Sequence, residues 1–426
     1  MREAKTVVSA KRRSALIAGG GIVGLACAHR LLQRGLSVTI LDRAGTVRPP
    51  SWGNAGVIAV NEVEPLASRA SLTKALRLML RGNSPVSAPI ADFRTWLPFF
   101  IRMAGASGSA RFRSGTAALT ACMERALPAW REMLDEIGRG AMLLESGHLV
   151  VWESARTART CLTAWQHADT GPASFRAATE EEMNALQALT GKRPCGAIRF
   201  QGTAHISDPG RLLDALKNSI VSAGADFVAA RAEVITATRQ QKATLIADDG
   251  SSHTADAIVI ASGVGSGRLL QQAGAVVPMI AERGYHVQSP VNGWPGEMPP
   301  IVFEDRAIVV TGFESALRAT SFVEFARHDR PATQARWERL ERHLDELGLP
   351  FGSPRSRWMG ARPTLPDYLP AIGKSGFADN LYYAFGHQHL GLTMAPVTAE
   401  IIADLVLERS SSIDLRPFDI ARFSKE

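Results

Sequence analysis

The chain has 426 residues, of which 46% are hydrophobic and 21% are charged, with a formal net charge of +7. This composition excludes a disordered or fibrous chain, and the length predicts two or three domains. The positive charge is mostly arginine dispersed along the sequence, and the densest basic run is only Lys11–Arg13. Nucleic-acid binders concentrate basic residues to neutralise adjacent phosphates, so an anionic small substrate or an anionic membrane surface fits this charge better.

Cysteine spacing and hydropathy exclude further classes. Cys27, Cys122, Cys161 and Cys195 form no C-x-x-C pair, which argues against a zinc knuckle and indicates thiols in a reducing compartment. No stretch of 18 uncharged apolar residues occurs, so we expect no transmembrane helix. We expect no metal site either, because His387 and His389 are two residues apart in a loop without nearby acids.

Residues 1–28 have two interpretations. A basic stretch, an apolar run from Ala15 to Leu25 and a small-residue end resemble an export signal. The alternative is a buried strand, a glycine turn and a helix. We favour the alternative because Gly19–Gly21 interrupts the apolar run and because the pattern continues into a second strand.

The elements that follow are predicted from periodicity, caps and turn residues. The predicted helices are Gly21–Gln33, Leu72–Leu80, Asp92–Met103, Ala117–Ile137, Thr179–Leu186, Pro209–Ala223, Gln334–Glu346 and Thr398–Leu407. The predicted strands are Ala15–Ala18, Val38–Leu41, a pair within Leu143–Glu153, Phe227–Thr236, Lys242–Ala247, Ala257–Ser262, Gly284–Gln288, Ala307–Phe313, Ala319–Phe325 and Asn380–Phe385, with a Pro-rich turn region at Pro363–Pro370.

The order of these elements predicts an α/β fold (α+β overall) with interleaved domains. A β-α-β unit opens the chain, a parallel-type strand lies in the middle, and a strand, loop and helix close it. We therefore expect a Rossmann-like domain built from discontinuous segments 12–95, 197–275 and 350–426. Segments 96–196 and 276–349 would form a substrate domain with a mixed sheet and helices.

A dinucleotide-binding turn is the most informative motif. Gly19, Gly21 and Gly24 match G-x-G-x-x-G between a predicted strand and a predicted helix, and Asp42 ends the next strand 18 residues beyond Gly24. The glycines allow a tight turn and close approach of a pyrophosphate to the helix N-terminus, and Asp42 would bind ribose hydroxyls. The acid argues against NADP, although Arg43 follows it directly.

Two later segments favour FAD over NAD. Small residues at the strand end Ala261–Gly263 let the chain pass close to a bound adenosine. The glycine loop Gly386–Thr393 precedes the last predicted helix, and a helix N-terminus suits the pyrimidine edge of a flavin, which becomes anionic when reduced.

With these motifs the chain resembles the D-amino-acid oxidase superfamily of flavoproteins from about residue 14 onwards. More narrowly it is similar to bacterial D-amino-acid dehydrogenases, D-hydroxyproline dehydrogenases and glycine oxidases. The more specific motifs are Ser51–Gly56, Arg283–Tyr285, Gly360–Asp367 and Gly386–Gly391.

The resemblance implies roles for particular residues. It places the Ser51–Gly56 loop beside the flavin and pyrophosphate, the backbone of Val234 at the adenine, and the Arg362 guanidinium on the substrate carboxylate. The predicted cofactor-binding residues are Gly19, Gly21, Ile22, Val23, Gly24, Asp42, Arg43, Ser51, Asn54, Ala55, Gly56, Val57, Val234, Ala261, Ser262, Gly263, Arg362, Gly386, His387, Gln388, His389, Leu390, Gly391, Leu392 and Thr393.

The sequence departs from its relatives in two ways. Glycine-oxidase-like members carry a second arginine after the Gly-His pair, and His389 stands at that place here. Sarcosine-oxidase-like members bind the flavin covalently through a cysteine near the C-terminal motif. The last cysteine here is Cys195, far upstream, so the FAD is expected to be non-covalent.

Four residues are candidates for catalysis, and each has a structural alternative. Arg362 would bind the substrate carboxylate, or would instead pair with Asp367 or a neighbour. His389 would face the substrate or be a satisfied hydrogen-bond partner. Tyr285 would close the pocket or be a sheet aromatic, and Glu324 would bind a substrate ammonium or face solvent.

The resulting hypothesis is an FAD-dependent dehydrogenase of a D-amino acid or cyclic imino acid such as D-hydroxyproline or D-proline. Hydride would leave the α-carbon for flavin N5, and electrons would pass to a quinone or other acceptor. The alternatives are an oxygen-using oxidase and a non-catalytic FAD-binding subunit of a larger dehydrogenase. We expect a cytoplasmic protein, with the basic and apolar stretches Lys74–Arg81 and Trp96–Phe100 offering attachment to the inner membrane face.

Overall fold

A computed structural model describes residues 12–43, 48–67, 73, 84–238 and 241–424. Its first sheet has six strands, which are parallel except for the last pair. In spatial order they are β10 (Asp226–Val228), β2 (Ser37–Leu41), β1 (Ser14–Ala18), β14 (Ala257–Ile260), β21 (Leu381–Phe385) and β20 (Ala371–Lys374). The strands thus come from the start, the middle and the end of the chain.

Both faces of this sheet are covered, which explains why β1 and β14 are almost wholly apolar. Ala15 and Ile17 pack with helices on one face. Leu16 and Ala18 face a small antiparallel sheet and one short helix on the other. The helices of the first face are α1 (Ile22–Gln33), α3 (Ser109–Glu136), α6 (Pro209–Ser222) and α9 (Gly391–Val406). The opposite face carries β11 (Ala232–Thr236), β12 (Thr244–Ala247), β13 (Ser252–His253) and α7 (Gly265–Gln272).

A second, larger sheet is mixed. Its strands are β4 (Val86–Ser87), β6 (His148–Trp152), β7 (Ser174–Ala177), β8 (Gly196–Gln201), β15 (Ile280–Ser289), β16 (Ile301–Phe303), β17 (Ile308–Gly312), β18 (Leu317–Ala326) and β19 (Ser356–Thr364). Their spatial order is β19, β15, β18, β17, β16, β6, β8 and β7, with β4 beside β18.

Helices and one short sheet complete the described structure. The helices are α2 (Phe93–Ala106), α4 (Ala155–His167), α5 (Glu180–Thr190) and α8 (Gln334–Glu346). The strands β3 (Val57–Ile58), β9 (Ala204–Ile206) and β5 (Leu143–Leu144) pair antiparallel. Within the described ranges, no helix is both long enough and apolar enough to cross a membrane.

The predicted opening unit is confirmed. The strands β1 and β2 pair in parallel with α1 between them, and Ala18 is opposite Leu41. The predicted mixed α/β architecture is also confirmed, because a largely parallel sheet and a mixed sheet are both present. The predicted helix Leu72–Leu80 lies outside the described residues except for Thr73.

Three predicted elements differ because pairing partners are remote in sequence. The expected pair within residues 143–153 is wrong: β5 pairs with β9, and β6 pairs with β8 and β16. The expected strand over residues 227–236 is two strands in two sheets. Part of the expected turn region at 363–370 belongs to β19, which pairs along β15.

The last helix begins at Gly391, seven residues before its predicted start. Pro396 lies inside it and has no N–H to donate to the carbonyl of Leu392. The Trp130 indole N–H donates to that carbonyl instead, at 3.0 Å, so the helix continues through the proline.

Two predicted domain boundaries need correction. The segment from 197 was assigned to the cofactor domain, but residues 197–201 form most of β8 in the mixed sheet. The segment from 350 was assigned likewise, but β19 is an edge strand of the mixed sheet and pairs with β15 through Ile280–Gln288. The order of elements along the chain did not indicate this, because the strands that pair with β8 and β19 lie in the segments predicted for the substrate domain.

Candidate functional site

The glycine turn lies between β1 and α1. Gly19 has φ of +111°, a conformation that favours glycine, and an added Cβ would meet the carbonyl of Ala261. An added Cβ at Gly24 would collide with the carbonyl oxygen of Gly19, so this glycine allows close helix packing. At Gly21 an added Cβ would have only Pro49 within reach, at 3.9 Å, so the space in front of the helix N-terminus is open.

The strand end that follows β14 packs against this turn. Ala261 N–H donates to the carbonyl of Ala18 at 2.9 Å, and the Ser262 hydroxyl donates to the same carbonyl at 2.8 Å. Gly263 has φ of +56° and turns the chain away. The structure therefore brings the predicted residues 261–263 to the glycine turn.

Asp42 lies beside the turn. A Cβ added at Gly20 would meet Asp42 Oδ2 at 2.5 Å, and the backbone N–H groups of Gly20 and Arg43 bond to the carboxylate. Burial raises the pKa of Asp42 in spite of these bonds. Arg43, in contrast, points at Asp248, with Nη2 3.2 Å from Oδ2, so its side chain is engaged in a surface ion pair.

The loop Ser51–Gly56 reaches the glycine turn at its first residue. Ser51 Oγ accepts a hydrogen bond from Ile22 N–H at 3.3 Å. The next N–H groups of α1, those of Val23 and Gly24, have no intrahelical partner, as at every helix N-terminus. Together with the dipole of α1 they form a site for an anion such as a pyrophosphate.

The mixed sheet holds the rest of this loop. Arg318 Nη1 donates to the carbonyls of Trp52 and Asn54, at 2.8 and 2.7 Å. Thr311 donates to the carbonyl of Ala55 at 2.8 Å. The Asn54 side chain accepts from Gly56 N–H at 2.7 Å, so it shapes the loop, and Val57 continues into β3 opposite His205.

Arg318 is buried, and burial lowers its pKa to about 10, which still leaves it charged at neutral pH. Its other nitrogens donate to Gln288 Oε1 at 2.9 and 2.7 Å. His286 lies nearby, with Nδ1 3.2 Å from the carbonyl of Gly53, and burial lowers its pKa to about 3. The loop is thus fixed by one buried cation and a neutral histidine.

The C-terminal loop runs beside β19 into α9. Thr364 and His387 form an antiparallel bridge, and Gln388 N–H donates to the carbonyl of Pro363 at 3.0 Å. Gln388 has φ of +49°, and its side chain donates to the carbonyl of Tyr368. This bridge brings the loop alongside the end of β19, the strand that carries Arg362.

His387 has a structural role in this loop. Its Nε2 lies 2.9 Å from the Thr398 hydroxyl inside α9, and burial lowers its pKa to about 3. Leu390 is the N-cap of α9, so the first N–H groups of that helix, from Gly391 to Thr393, lie at the predicted position. The Thr393 hydroxyl accepts from Ala59 N–H at 3.0 Å, which joins α9 to the segment after β3.

The side chain of Arg362 extends from β19 across β15 and is held through one nitrogen. Nη1 donates to Glu282 Oε1 at 3.1 Å and to the carbonyl of Phe322 at 3.4 Å. Nη2 lies where a Cβ of Gly284 would be, which explains the glycine of the Arg283–Tyr285 motif. Among the described residues Nη2 and Nε have no hydrogen-bond partner, and a quarter of the side chain is exposed.

Asp367, the expected alternative partner of Arg362, pairs with Arg422 instead, at 2.6 Å. The carboxylate that holds Arg362 is Glu282, which is 3% exposed. Glu282 also accepts from the Thr364 and Tyr368 hydroxyls, at 3.1 and 3.3 Å. Burial, together with the charge of Glu282, raises the pKa of Tyr368 well above its usual value.

His389 forms an ion pair with Glu62, in which Nε2 lies 2.6 Å from Oε2. Burial opposes protonation of His389, but the charge and hydrogen bond of Glu62 outweigh it and raise the pKa of the imidazole. The same pair lowers the pKa of Glu62 against the effect of its burial. The charges of Glu282 and Arg362 also act on His389, so the structure brings these four groups together.

Tyr285 and Glu324 lie on the opposite side of the mixed sheet from Arg362, and the structure corrects the expectation that they line the substrate pocket. Neighbouring residues of a strand face opposite sides, and Gly284 faces Arg362. Tyr285 donates to Glu324 Oε2 at 2.6 Å and accepts from Thr333 N–H at 3.1 Å, at the start of α8. Arg283 Nε lies 3.5 Å from Glu324, and all three side chains are almost fully buried.

Val234 is the remaining predicted residue. It lies in β11 at an irregularity in the pairing with β12, and 36% of it is exposed. The small sheet that carries it covers the same face of the parallel sheet as Leu16 and Ala18. Its predicted contact with adenine stays a prediction.

These surroundings fit FAD. Two helix N-termini, those of α1 and α9, lie at the carboxyl ends of parallel strands, where ligands of open α/β sheets bind. The open space at Gly21 admits a pyrophosphate, and Asp42 is a carboxylate of the kind that binds ribose. The described residues contain no group of three or more His, Cys, Asp or Glu side chains arranged to hold a metal ion.

Comparison with known proteins decides the family. Residues 14–405 match the family described as DAO, FAD dependent oxidoreductase. The chain belongs to this family of FAD-dependent oxidoreductases. A D-amino-acid oxidase of Bradyrhizobium diazoefficiens is 28% identical over 96% of this chain and 99% of its own. A D-amino acid dehydrogenase of Helicobacter pylori is 24% identical over 92% of this chain and 95% of its own.

The fold of the family is also found in a glycine oxidase from Geobacillus kaustophilus. The two structures superpose with a TM-score of 0.74 at 19% identity, over 98% of this chain and 100% of the other. As a DAO-family member the chain uses FAD, as the motifs predicted.

Sequence reasoning missed three residues of the site: Arg318, Glu282 and Glu62. Each acts on a residue far away in the chain, and none stands in a recognisable motif. The available signal for Arg318 and Glu282 was a charged residue beside a predicted strand, and the structure shows both residues buried and paired, as charged residues inside a protein almost always are.

We predict that Gly21→Ala folds but binds FAD weakly. The new methyl group meets nothing of the protein closer than Pro49, yet it occupies the space through which the pyrophosphate approaches the α1 N-terminus. Absorbance at flavin wavelengths per chain, followed by titration of the apoprotein with FAD, measures the effect, and we expect at least tenfold weaker binding. Gly105→Ala, in an open position of α2, is the matched control, and equal FAD content in both variants would contradict the assignment.

Proposed function

We propose that this enzyme dehydrogenates a D-amino acid or a cyclic imino acid such as D-proline or D-hydroxyproline, and passes the electrons to a quinone or another acceptor. The observation that carries the proposal is Arg362, whose Nη1 is bound to Glu282 while Nη2 and Nε are available to a ligand. A guanidinium with two adjacent free donors binds a carboxylate bidentately. Its place opposite the loop that begins α9 puts such a carboxylate beside the flavin-binding segment.

The protein's part in the reaction is orientation. When bound, FAD would supply the acceptor for the hydride that leaves the substrate α-carbon. Arg362 would fix the carboxylate, and rigid placement of one end of the substrate lowers the entropic part of the barrier. The product is an imine, which water hydrolyses.

The named relatives support the substrate class. One is called a D-amino-acid oxidase and the other a D-amino acid dehydrogenase, and both align along nearly the whole chain. Oxidation of a D-amino acid is common to both names, whereas the electron acceptor differs.

We expect anaerobic substrate to bleach the flavin absorbance of the purified holoenzyme. A panel of D- and L-amino acids, D-proline and D-hydroxyproline, mixed with the enzyme without oxygen, identifies the substrate without knowledge of the acceptor. Bleaching by D-amino or cyclic imino acids and not by their L-enantiomers is the expected result. No bleaching by any compound would overturn the proposal and favour a non-catalytic FAD-binding subunit.

Oxygen use is the second candidate, because the relative with 28% identity is named an oxidase. Peroxide release in air, compared with reduction of a quinone analogue or dye, separates the two activities. A dehydrogenase reduces the dye much faster than it releases peroxide.

We predict that Arg362→Met lowers kcat/KM for the best amino acid by about 100-fold or more, because loss of a charged hydrogen-bonded anchor costs about 3 kcal/mol. The control is Arg357→Met on the same strand, which removes a guanidinium that pairs with Glu341 at the surface. We expect this control to retain kcat/KM within about twofold. An unchanged kcat/KM in Arg362→Met would refute its role in binding the carboxylate.

A quinone acceptor requires access to a membrane, and α2 offers a surface for this. Of the predicted stretch Trp96–Phe100, Phe99 and Phe100 are buried against Phe325, while Leu97 is exposed. The part at Lys74–Arg81 lies outside the described residues. The exposed apolar side chains follow one face at helical spacing, and they are Ile90 (85% exposed), Phe93 (46%), Leu97 (43%) and Ile101 (65%).

Exposed basic residues flank this apolar stripe, namely Arg94 and Arg102 in α2, which are the sequence neighbours of Phe93 and Ile101. An apolar stripe with basic neighbours is suited to an anionic lipid surface, where side chains insert and guanidinium groups contact the phosphates. We propose that this face attaches the enzyme to the membrane that holds its acceptor.

We predict that the double variant Phe93→Ser/Ile101→Ser binds phosphatidylglycerol vesicles about tenfold or more weakly, because two apolar side chains no longer insert. Co-flotation with vesicles measures binding, and neutral phosphatidylcholine vesicles test the contribution of charge. Val221→Ser, an exposed apolar position on α6, is the control. Equal flotation of the double variant and the control would exclude this face.

A further inference from the structure

The pair formed by His389 and Glu62 has no part in the carboxylate binding that we propose for Arg362. His389 Nε2 is committed to Glu62 at 2.6 Å, and among the described residues Nδ1 has no hydrogen-bond partner. A quarter of the His389 side chain is exposed, so Nδ1 is not enclosed by protein. The bridge between Thr364 and His387 brings this loop alongside the strand of Arg362, and the charge of Arg362 acts on the imidazole.

We propose that His389, held by Glu62 through Nε2, accepts at Nδ1 the proton of the substrate ammonium group, a role that rests on the proposed amino acid oxidation. In this step a substrate N–H bond breaks and an Nδ1–H bond forms on His389. The substrate becomes a neutral amine and the imidazole an imidazolium. Only the neutral amine can lend its lone pair to the α-carbon as hydride leaves.

The charges around the pair favour an ammonium over a carboxylate at Nδ1. Glu62 lies against the imidazole on one side, and the field of Glu282 on β15 reaches it from another. A second carboxylate at this point would be repelled by both, whereas an ammonium is attracted. Arg362, the cation of the site, then takes the substrate carboxylate, so the two ends of an α-amino acid meet groups of opposite charge.

The pair also has the electrostatics that a proton acceptor needs. Glu62 raises the pKa of His389, and Glu282 adds to this, while Arg362 opposes it. Among the described residues, His148 on β6 also acts on Glu62, and burial lowers its pKa to about 4, which keeps it neutral. A carboxylate behind an imidazole fixes its tautomer and stabilises the imidazolium, as in hydrolase triads.

The test is the pH profile of anaerobic flavin reduction in the holoenzyme, with the best D-amino acid from the panel. His389 accepts a proton only when neutral, so the wild-type rate constant at low substrate should rise with pH through the imidazole pKa. In His389→Gln the bond to Glu62 can persist but no proton is accepted, so only substrate that is already a neutral amine reacts. We expect a loss of about 100-fold at pH 7 that shrinks to within about threefold near pH 10.

Glu62→Gln removes the charge that raises the imidazole pKa, so the acid limb of the profile should move to lower pH. Glu64→Gln, an exposed carboxylate two residues away, is the matched control and should leave the limb in place. Flavin content and melting temperature of each variant show whether it folds. These readouts separate a proton acceptor from a merely structural histidine, which would not move the limb.

Three results would overturn the role of His389 as proton acceptor. A loss of equal size at every pH in His389→Gln, or a wild-type rate that falls as pH rises through the imidazole pKa, would make His389 a second anchor for the carboxylate. Failure of the wild-type enzyme to be bleached by any amino acid would overturn the proposed function itself. Bleaching with unchanged pH profiles in both variants overturns only the proton-acceptor role.

Discussion

The candidate site depends on one buried carboxylate. Glu282 is 3% exposed on a central strand of the mixed sheet, and an unpaired charge there would cost several kcal/mol. It is satisfied by three donors from one segment, the guanidinium of Arg362 and the hydroxyls of Thr364 and Tyr368. That segment is the end of β19 together with the start of its connection to β20, so Glu282 fixes the point where the mixed sheet passes into the parallel sheet.

The consequences extend to the C-terminal loop, because that loop is bonded to the same segment. Gln388 donates through its backbone to Pro363 and through its side chain to Tyr368. The loop in turn sets the start of α9 and the position of His389. A single carboxylate therefore orders a guanidinium, a histidine and a helix N-terminus, the groups that a flavin and an anionic substrate require.

The nucleotide half of the site was predictable because its signals are local. The glycines of the turn, the strand before them and Asp42 lie within one β-α-β unit. Gly19 and Gly24 each avoid a collision that a side chain would cause, and Gly21 leaves open space before the helix N-terminus. The resemblance added Arg362 and the C-terminal loop, which also stand in compact motifs. The role of Arg318 could not be predicted from local signals, because its acceptors, the carbonyls of Trp52 and Asn54, lie more than 260 residues away in the chain.

Tyr285 and Glu324 show how a strand motif misleads. Gly284 and Tyr285 are adjacent in the motif but face opposite sides of the sheet, so the glycine makes room for Arg362 while the tyrosine packs under α8. Glu324 follows Phe322, which has φ of +69°, at a shift in the pairing of β15 with β18. The shift pairs Glu324 with Arg283, a partner that periodicity alone could not indicate.

The interleaving of the two sheets has a mechanical consequence. An enzyme whose substrate and cofactor domains meet at a flexible linker must close a hinge before the reacting atoms align. Here Arg362 lies on β19, and the chain continues from it through the Glu282-bound segment into the sheet that carries the glycine turn. Arg318 makes a second rigid connection through the loop at Ser51–Gly56. A displacement of about 1 Å can cost about 100-fold in rate. Two short connections that hold the cofactor turn and Arg362, the proposed carboxylate anchor, in one frame would therefore be part of how the protein orients its substrate.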